Sequence, residues 1–419
     1  MNNKGLFKNI SLFTFFNLLN SGIPFLLLPF LTVYLSPEDY GLVDIFYNIY
    51  LVAMPVIGLS VVQSISRFYF EKINLGPFLT TVLVILCVIG FIITVLSTLL
   101  SSVFSDFLSG HNIPGHFILI VLLYTLFSQV SEILLLLWRV SYKTVQYGIF
   151  RVCKTSLDLG LSLVLVIGLG MDWKGRVFPQ LFVAILFGII AVIILYRKGL
   201  LLKDGYSKEY RKEALSFSTP LIFHSLGSSL LGFSDRFFIL FMLGLSDVGI
   251  YSVGYQVGMV MSLLQNSFNQ AWVPYFYQIL KKDQIQDKIK IVKITYVYFI
   301  FILIVALLFY LTTPFIYRVF IGKEFESGIS VVLWILLGYA VLGMYKMMVN
   351  YLFYLKKTKI IAFCTVFTVM INLILNYVLI TNNGIVGAAQ ATLISFVILF
   401  IVVFVISKRN YKMPWLLKV

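Results

Sequence analysis

Charged residues buried inside long apolar segments are the part of this sequence that can do chemistry. Arg151, Lys154 and Asp158 stand at i, i+3 and i+7, so a helix sets all three on one face. Glu132 and Arg139, seven residues apart, share a face of the preceding segment and lie about 10 Å apart along its axis. Arg67, Asp44, Lys346, His224 and the adjacent pair Asp235 and Arg236 complete the ionisable set, with Asn372 as an uncharged candidate beside them. A charge at mid-bilayer costs roughly 2.5–3.5 kcal/mol on insertion scales, so each needs a reason to be there. Six cations (Arg67, Arg139, Arg151, Lys154, Arg236, Lys346) face four acids (Asp44, Glu132, Asp158, Asp235), an excess that favours an anionic ligand. Arginine can grip a phosphate oxygen pair bidentately, whereas lysine acts as a point charge. Asp158, one turn deeper than Lys154 on the same face, is expected to hold that lysine charged.

The competing account is structural: the same charges could pair between helices and only hold them together. Arg67, Arg139 and Arg151 also lie within about two turns of a segment end, where long side chains snorkel to the interface. Asp235 and Arg236 point about 100° apart, so one is expected to line a cavity while the other pairs sideways. His224 alone fits a satisfied interior histidine. Glu38 and Asp39 resemble a metal-binding acidic pair, but Asp247 repeats Asp39 without the second acid, so helix capping is the better reading. No phosphate loop, nucleophile elbow or HExxH is present, and no metal or resident cofactor is expected. Cys87, Cys153 and Cys364 sit in apolar helices without a CxxC spacing and read as small core residues.

These residues are positioned by membrane helices. The 419 residues are 60% hydrophobic and only 12% charged, with a mean hydropathy of +0.98, which excludes a soluble globule. Apolar runs of about twenty residues recur, the length of a transmembrane helix. Twelve spans are expected, at about 9–35, 41–70, 77–104, 116–142, 146–169 and 177–196, then 215–243, 249–280, 291–312, 328–354, 360–380 and 385–407. The first, preceded by Lys4 and Lys8, is too long for a cleavable signal and contains the kink residues Pro24 and Pro29.

The halves repeat. Leu35–Phe70 and Leu243–Gln278 align without a gap, sharing Leu35/Leu243, Asp39/Asp247, Gly41/Gly249, Tyr47/Tyr255, Val52/Val260, Phe68/Phe276 and Tyr69/Tyr277. Asp158, Ser162 and Leu165 fall on Asn372, Asn376 and Leu379, and Gly175 falls on Gly387. Six spans per half make the repeats parallel. The expected division is an N-terminal lobe 1–200, a cytoplasmic linker 201–214 and a C-terminal lobe 215–419. Of 32 Lys and Arg, 26 lie at the termini and at even-numbered span exits, and four (Lys174, Arg176, Arg318, Lys323) lie opposite. That bias puts both termini in the cytoplasm and accounts for the +15 net charge without nucleic acid.

Several motifs carry a family resemblance: Ser36–Gly41 (SPEDYG), Arg67-Phe68-Tyr69, Ser234–Phe238 (SDRFF), Val248–Ser252 (VGIYS) and Asn383–Ala389 (NGIVGAA). In this order they resemble the polysaccharide-biosynthesis flippases of the Wzx type, in the MOP superfamily. The resemblance implies an all-α, MATE-like fold of two six-helix lobes around a central cavity, in the bacterial inner membrane. It implies a transporter, not an enzyme, for undecaprenyl-diphosphate-linked O-antigen or capsule repeat units, moved by alternating access. It also implies a monomer working beside a polymerase and a chain-length regulator, with Na⁺, H⁺ or membrane potential as possible energy sources. A MATE-like drug/cation antiporter is the nearest alternative and would want carboxylates without arginines. A membrane-embedded glycosyltransferase or polymerase would need larger outside loops.

Overall fold

A computed structural model describes residues 3–71, 74–100, 110–282 and 284–416, apart from side chains of some of the first 24 residues and of residues 223, 224, 228, 230 and 231. The side chains of Lys4, Lys8, Pro24 and His224 therefore lie outside the described residues. The described chain is helical, without strands. It divides into two compact units, 1–230 and 231–419.

The first unit contains α1 (Asn3–Tyr34), α2 (Pro37–Ile57), the short α3 (Ser64–Phe68), α4 (Leu75–Leu99), α5 (Phe117–Val140), α6 (Thr144–Leu163) and α7 (Lys174–Arg197). The unit boundary falls inside α8 (Lys208–Met242). The second unit contains α9 (Leu245–Gly258), α10 (Val260–Lys282), α11 (Ile285–Phe320), α12 (Ile329–Tyr354) and α13 (Thr358–Asn410). Seven of the described helices are long and apolar enough to cross a membrane: α2, α4, α5, α7, α11, α12 and α13. At 53 residues, α13 would run about 80 Å if straight, far more than the roughly 30 Å of bilayer hydrocarbon. It is two spans joined at Gly384, whose φ of 56° and ψ of −140° break the helix where a side chain would be strained. Of the predicted spans that fall below that measure of apolarity, α6 carries Arg151, Lys154 and Asp158, and α8 carries Asp235 and Arg236.

Local chemistry explains the entry to α2. The Ser36 hydroxyl caps the helix by accepting from the Asp39 N–H (3.1 Å) and donates to the Asp39 carboxylate (2.7 Å), with Pro37 in the first turn. At the matching entry to α9 the cap is Gly244, at φ 111°, and Asp247 sits in the first turn without a side-chain capping bond. The expected single second span is interrupted: α2 ends at Ile57, Leu59 and Ser60 adopt positive φ, and the chain resumes through short helical turns from Val61 to Glu71. Within α2, Pro55 has no N–H to give the Leu51 carbonyl; the Ser229 hydroxyl donates to that carbonyl at 3.3 Å.

Each unit is built around its fourth span. In the first, α5 packs against α2, α4, α6 and α7; in the second, α12 packs against α9, α10, α11 and α13. Trp138 of α5, Phe150 of α6 and Phe187 of α7 stack edge to face at 5.6 and 5.0 Å. In the second unit Phe276 meets Tyr351 edge-on at 4.7 Å. The repeated glycines mark close approaches. A Cβ on Gly387 would lie 2.0 Å from the Leu379 carbonyl oxygen, and one on Gly175 would lie 2.9 Å from Val166 and Met171 side chains. Residues 201–207 are held to α4, where the Leu202 and Ser207 N–H groups donate to the Thr80 and Thr81 hydroxyls at 3.0 and 2.9 Å. Cys364 is buried as expected, but Cys87 and Cys153 are exposed on the helix surfaces rather than in the core.

Candidate functional site

The antiparallel pair α5 and α6, with α7 across from them, encloses a cleft of about 170 Å³ in the first unit. Its lining includes Glu132, Arg151, Lys154 and Asp158, so four of the sequence candidates converge. Helical period does this work: positions 151, 154 and 158 share a face of α6, and position 132 faces them from α5. Tyr124, Leu135, Thr155, Gln180 and Val183 complete the wall. Neutral Gln180 and Tyr124 give no sequence signal within apolar runs, and both were missed.

The direct partners inside the cleft differ from the simplest pairing: the ion-pair partner of Asp158 is Arg176, not Lys154. Its carboxylate accepts from Arg176 Nη1 at 2.8 Å, and the same nitrogen donates to the Ser162 hydroxyl at 2.7 Å. Arg176, read from sequence as an outside-loop charge, is 9% exposed within α7. The long Arg176 side chain reaches both acceptors from the neighbouring helix, and its charge makes the bond to the carboxylate the stronger of the two. The missed signal was Asp158 itself, a membrane carboxylate that needs a partner, with an arginine at the mouth of the next span. Lys154 donates to the Ser131 hydroxyl at 3.0 Å. Arg151 donates to the hydroxyl of the buried Tyr147. With Asp158 taken by Arg176, two cations, Arg151 and Lys154, face one remaining acid, Glu132. The Gln180 side-chain oxygen is buried there without a hydrogen-bond partner among the described residues.

Arg139 does not line the cleft, but it reaches the same tyrosine. Its Nη2 lies 3.4 Å from the Tyr147 hydroxyl and its guanidinium 5.5 Å from the ring centre. Arg151 and Lys154 thus meet at the cleft, whereas Arg139, outside it, reaches Tyr147, which Arg151 also contacts. Arg67 lies elsewhere, half exposed, paired with Glu71 at 2.9 Å and set over the Phe68 and Phe217 rings. It borders a separate, open cleft with Glu213, Ser216 and Pro220. Asp44 accepts from the Asn48 side chain at 2.8 Å.

In the second unit the candidates are mostly closed in. Asp235 and Arg236 pair with each other at 2.7 Å and are about 4% and 3% exposed, so neither is the cavity-facing partner expected of one of them. The guanidinium lies against α9, 3.8 Å from the centre of the Tyr255 ring, and Tyr251 of the same helix donates to the Asp235 carboxylate. Tyr255 and Tyr339 share a hydroxyl contact at 2.7 Å. Asn372 is buried in a neutral cluster, its oxygen accepting from Ser234 (3.1 Å) and Asn376 (3.0 Å), its amide donating to Ser395 (3.2 Å). Lys346 of α12 donates to Asn266 of α10.

Comparisons with known proteins agree with this architecture. The chain aligns with the lipid II flippase MurJ in an inward closed conformation at a TM-score of 0.76 and 16% identity, covering 95% of this chain and 87% of that one. It aligns with an inward-facing multidrug resistance MATE transporter of the MOP superfamily at 0.69 and 14%, covering 95% and 94%. At these identities the likeness establishes the fold. A protein of the Lsg locus of Haemophilus influenzae is 27% identical over 385 residues, 87% of this chain and 89% of that protein. The "Probable low-salt glycan biosynthesis flippase Agl15" of Haloferax volcanii is 24% identical over 388 residues, 91% of this chain and 79% of that protein. Residues 6–280 match the family described as "Polysaccharide biosynthesis protein". A helical membrane fold shared with these transporters, and a family match over residues 6–280, make this chain a multi-pass membrane protein of the polysaccharide biosynthesis family.

Proposed function

We propose that this protein is a flippase that carries diphosphate-linked oligosaccharides across the membrane by alternating access. The substrate is an undecaprenyl-diphosphate-bound repeat unit of O-antigen or capsule, the membrane is the bacterial inner membrane, and both termini lie in the cytoplasm. A hydrated glycan diphosphate cannot cross hydrocarbon unaided, because each polar group would lose its water. The observation that carries this reading is the cleft of α5, α6 and α7, where Arg151 and Lys154 face one remaining acid. Two cations within one helical turn suit the paired oxygens of a diphosphate, with Arg151 as the bidentate partner. The flippase named among the relatives, and the fold shared with MurJ, support a lipid-linked substrate. The protein acts as a carrier, not an enzyme.

The test is reconstitution into liposomes containing a labelled prenyl-diphosphate oligosaccharide, with the outer leaflet read by an impermeant reagent. Unchanged substrate should appear on the opposite leaflet. A lengthened glycan would make the protein a polymerase or transferase, and movement no faster than in protein-free vesicles would overturn the proposal. Imposed Na⁺ or H⁺ gradients in the same vesicles identify the coupling.

A further inference from the structure

Leu264 apart, the exposed surface of α10 offers no large apolar side chain to lipid. Asn266, Ser267, Gln270, Ala271, Pro274 and Gln278 are all exposed along this helix. The contrast within the same unit is the middle of α11, where the exposed residues from Val297 to Leu311 (Val297, Ile300, Phe301, Ile304, Leu307, Leu308 and Leu311) are all apolar. Helix surface at membrane depth that is rich in amides faces water or a polar ligand, since hydrocarbon would leave those groups unsatisfied. Pro274 adds to it: lacking an N–H, it cannot supply the i+4 bond to the Gln270 carbonyl. At one edge, Asn269 accepts from the Asn350 amide at 3.0 Å, and Asn266 accepts from Lys346. Behind it, Gln265 is 1% exposed, with neither of its amide atoms hydrogen-bonded among the described residues.

We propose that this amide-rich face of α10 is a glycan-binding surface, which takes the sugars of the lipid-linked substrate. The inference rests on the flippase reading above and adds a second subsite to it. Amides both donate and accept, as sugar hydroxyls and acetamido groups do, and they carry no charge. The face holds Asn, Gln and Ser, with Lys346 at its edge and Lys281 and Lys282 only in the last turn, and no arginine, so along its length it suits a neutral polyol better than a phosphate. Hydrogen bonds to several hydroxyls along one helix tolerate different sugars, because no single pocket shapes one ring.

The test uses the purified full chain and two soluble probes: farnesyl diphosphate, and farnesyl diphosphate extended by a tetrasaccharide of N-acetylglucosamine and glucose. Wild-type protein should bind the glycosylated probe about tenfold more tightly than the bare one. The double variant Asn266→Leu, Gln270→Leu should lose that preference while keeping wild-type affinity for the bare probe. No preference in the wild type, or a preference that survives the double variant, would overturn the inference and leave the diphosphate cleft standing. Failure of wild-type protein to bind either probe would instead bring down the flippase reading and this inference with it. A second measurement does not depend on the folding of the double variant. In protein lacking the three native cysteines, Gln270→Cys should react with a water-soluble maleimide and be protected by the glycosylated probe but not by the bare one. An unreactive cysteine would mean that lipid or a second protein covers the face, and would contradict the proposal.

Discussion

Asp158 and Asn372 occupy matching positions in the two repeats, and they keep opposite company. Asp158 is charged, needs a counterion, and takes Arg176 from the next span; the residue after Gly387, where Arg176 follows Gly175, is Ala388. Asn372 is neutral and is satisfied by Ser234, Asn376 and Ser395 without any charge. The first unit therefore keeps ionisable groups around an open cleft, while the corresponding depth of the second is closed by amides and hydroxyls. The second unit's strongest charges, Asp235 and Arg236, neutralise each other under three tyrosines. A duplicated fold can thus assign charge recognition to one copy and leave hydrogen bonding to the other. The contrast implies that polar substitutions in the first cleft reduce binding, and that those at the closed sites of the second reduce stability.

The largest effect is expected at the closed pair. Asp235→Ala strands Arg236 in the interior, and breaking such a buried pair costs about 3–5 kcal/mol; thermal unfolding in detergent should fall steeply. Asp158→Ala should cost less, because Arg176 then borders a cleft that can hold water, and equal losses would break the comparison. Next comes Gly387→Ala, whose methyl would press on the Leu379 carbonyl and should cost about 1–3 kcal/mol as overpacking. Gly175→Ala meets chiefly side-chain atoms and should be milder by the same measurement. Lys154→Gln should weaken diphosphate binding about tenfold, or roughly 1.4 kcal/mol, with little change in unfolding temperature. A large drop in stability with unchanged affinity would mean that Lys154 only braces Ser131. Smallest is Asn372→Ala, which removes neutral hydrogen bonds worth about 1 kcal/mol and should leave affinity for the bare probe untouched.

Much of this division was legible before the fold. Period alone put Arg151, Lys154 and Asp158 on one face, and the repeat located the equivalent of that face at Asn372 and Asn376; that Glu132 lies opposite is a result of the fold. Other parts were not legible, for separate physical reasons. Arg176 stands at the mouth of an apolar run, where composition reads it as a loop charge, and only its burial against Asp158 reassigns it. The 100° between Asp235 and Arg236 describes where the Cβ atoms point, whereas a flexible guanidinium curls back to its neighbour. Gln180 and Tyr124 carry no charge and blend into apolar sequence. The break after Ile57 depends on positive φ at Leu59 and Ser60, residues whose types do not favour it, so tertiary packing sets it.

Affinity of the Arg151 variants for farnesyl diphosphate, measured on well-folded protein at low and high salt, tests the central claim most directly. Wild-type binding should weaken as salt rises. Arg151→Lys, which keeps the charge but loses the fork, should bind more weakly than wild type, and Arg151→Gln at least tenfold more weakly with a shallower salt dependence. Wild-type affinity in folded Arg151→Gln protein would contradict the assignment of the head group to the first unit.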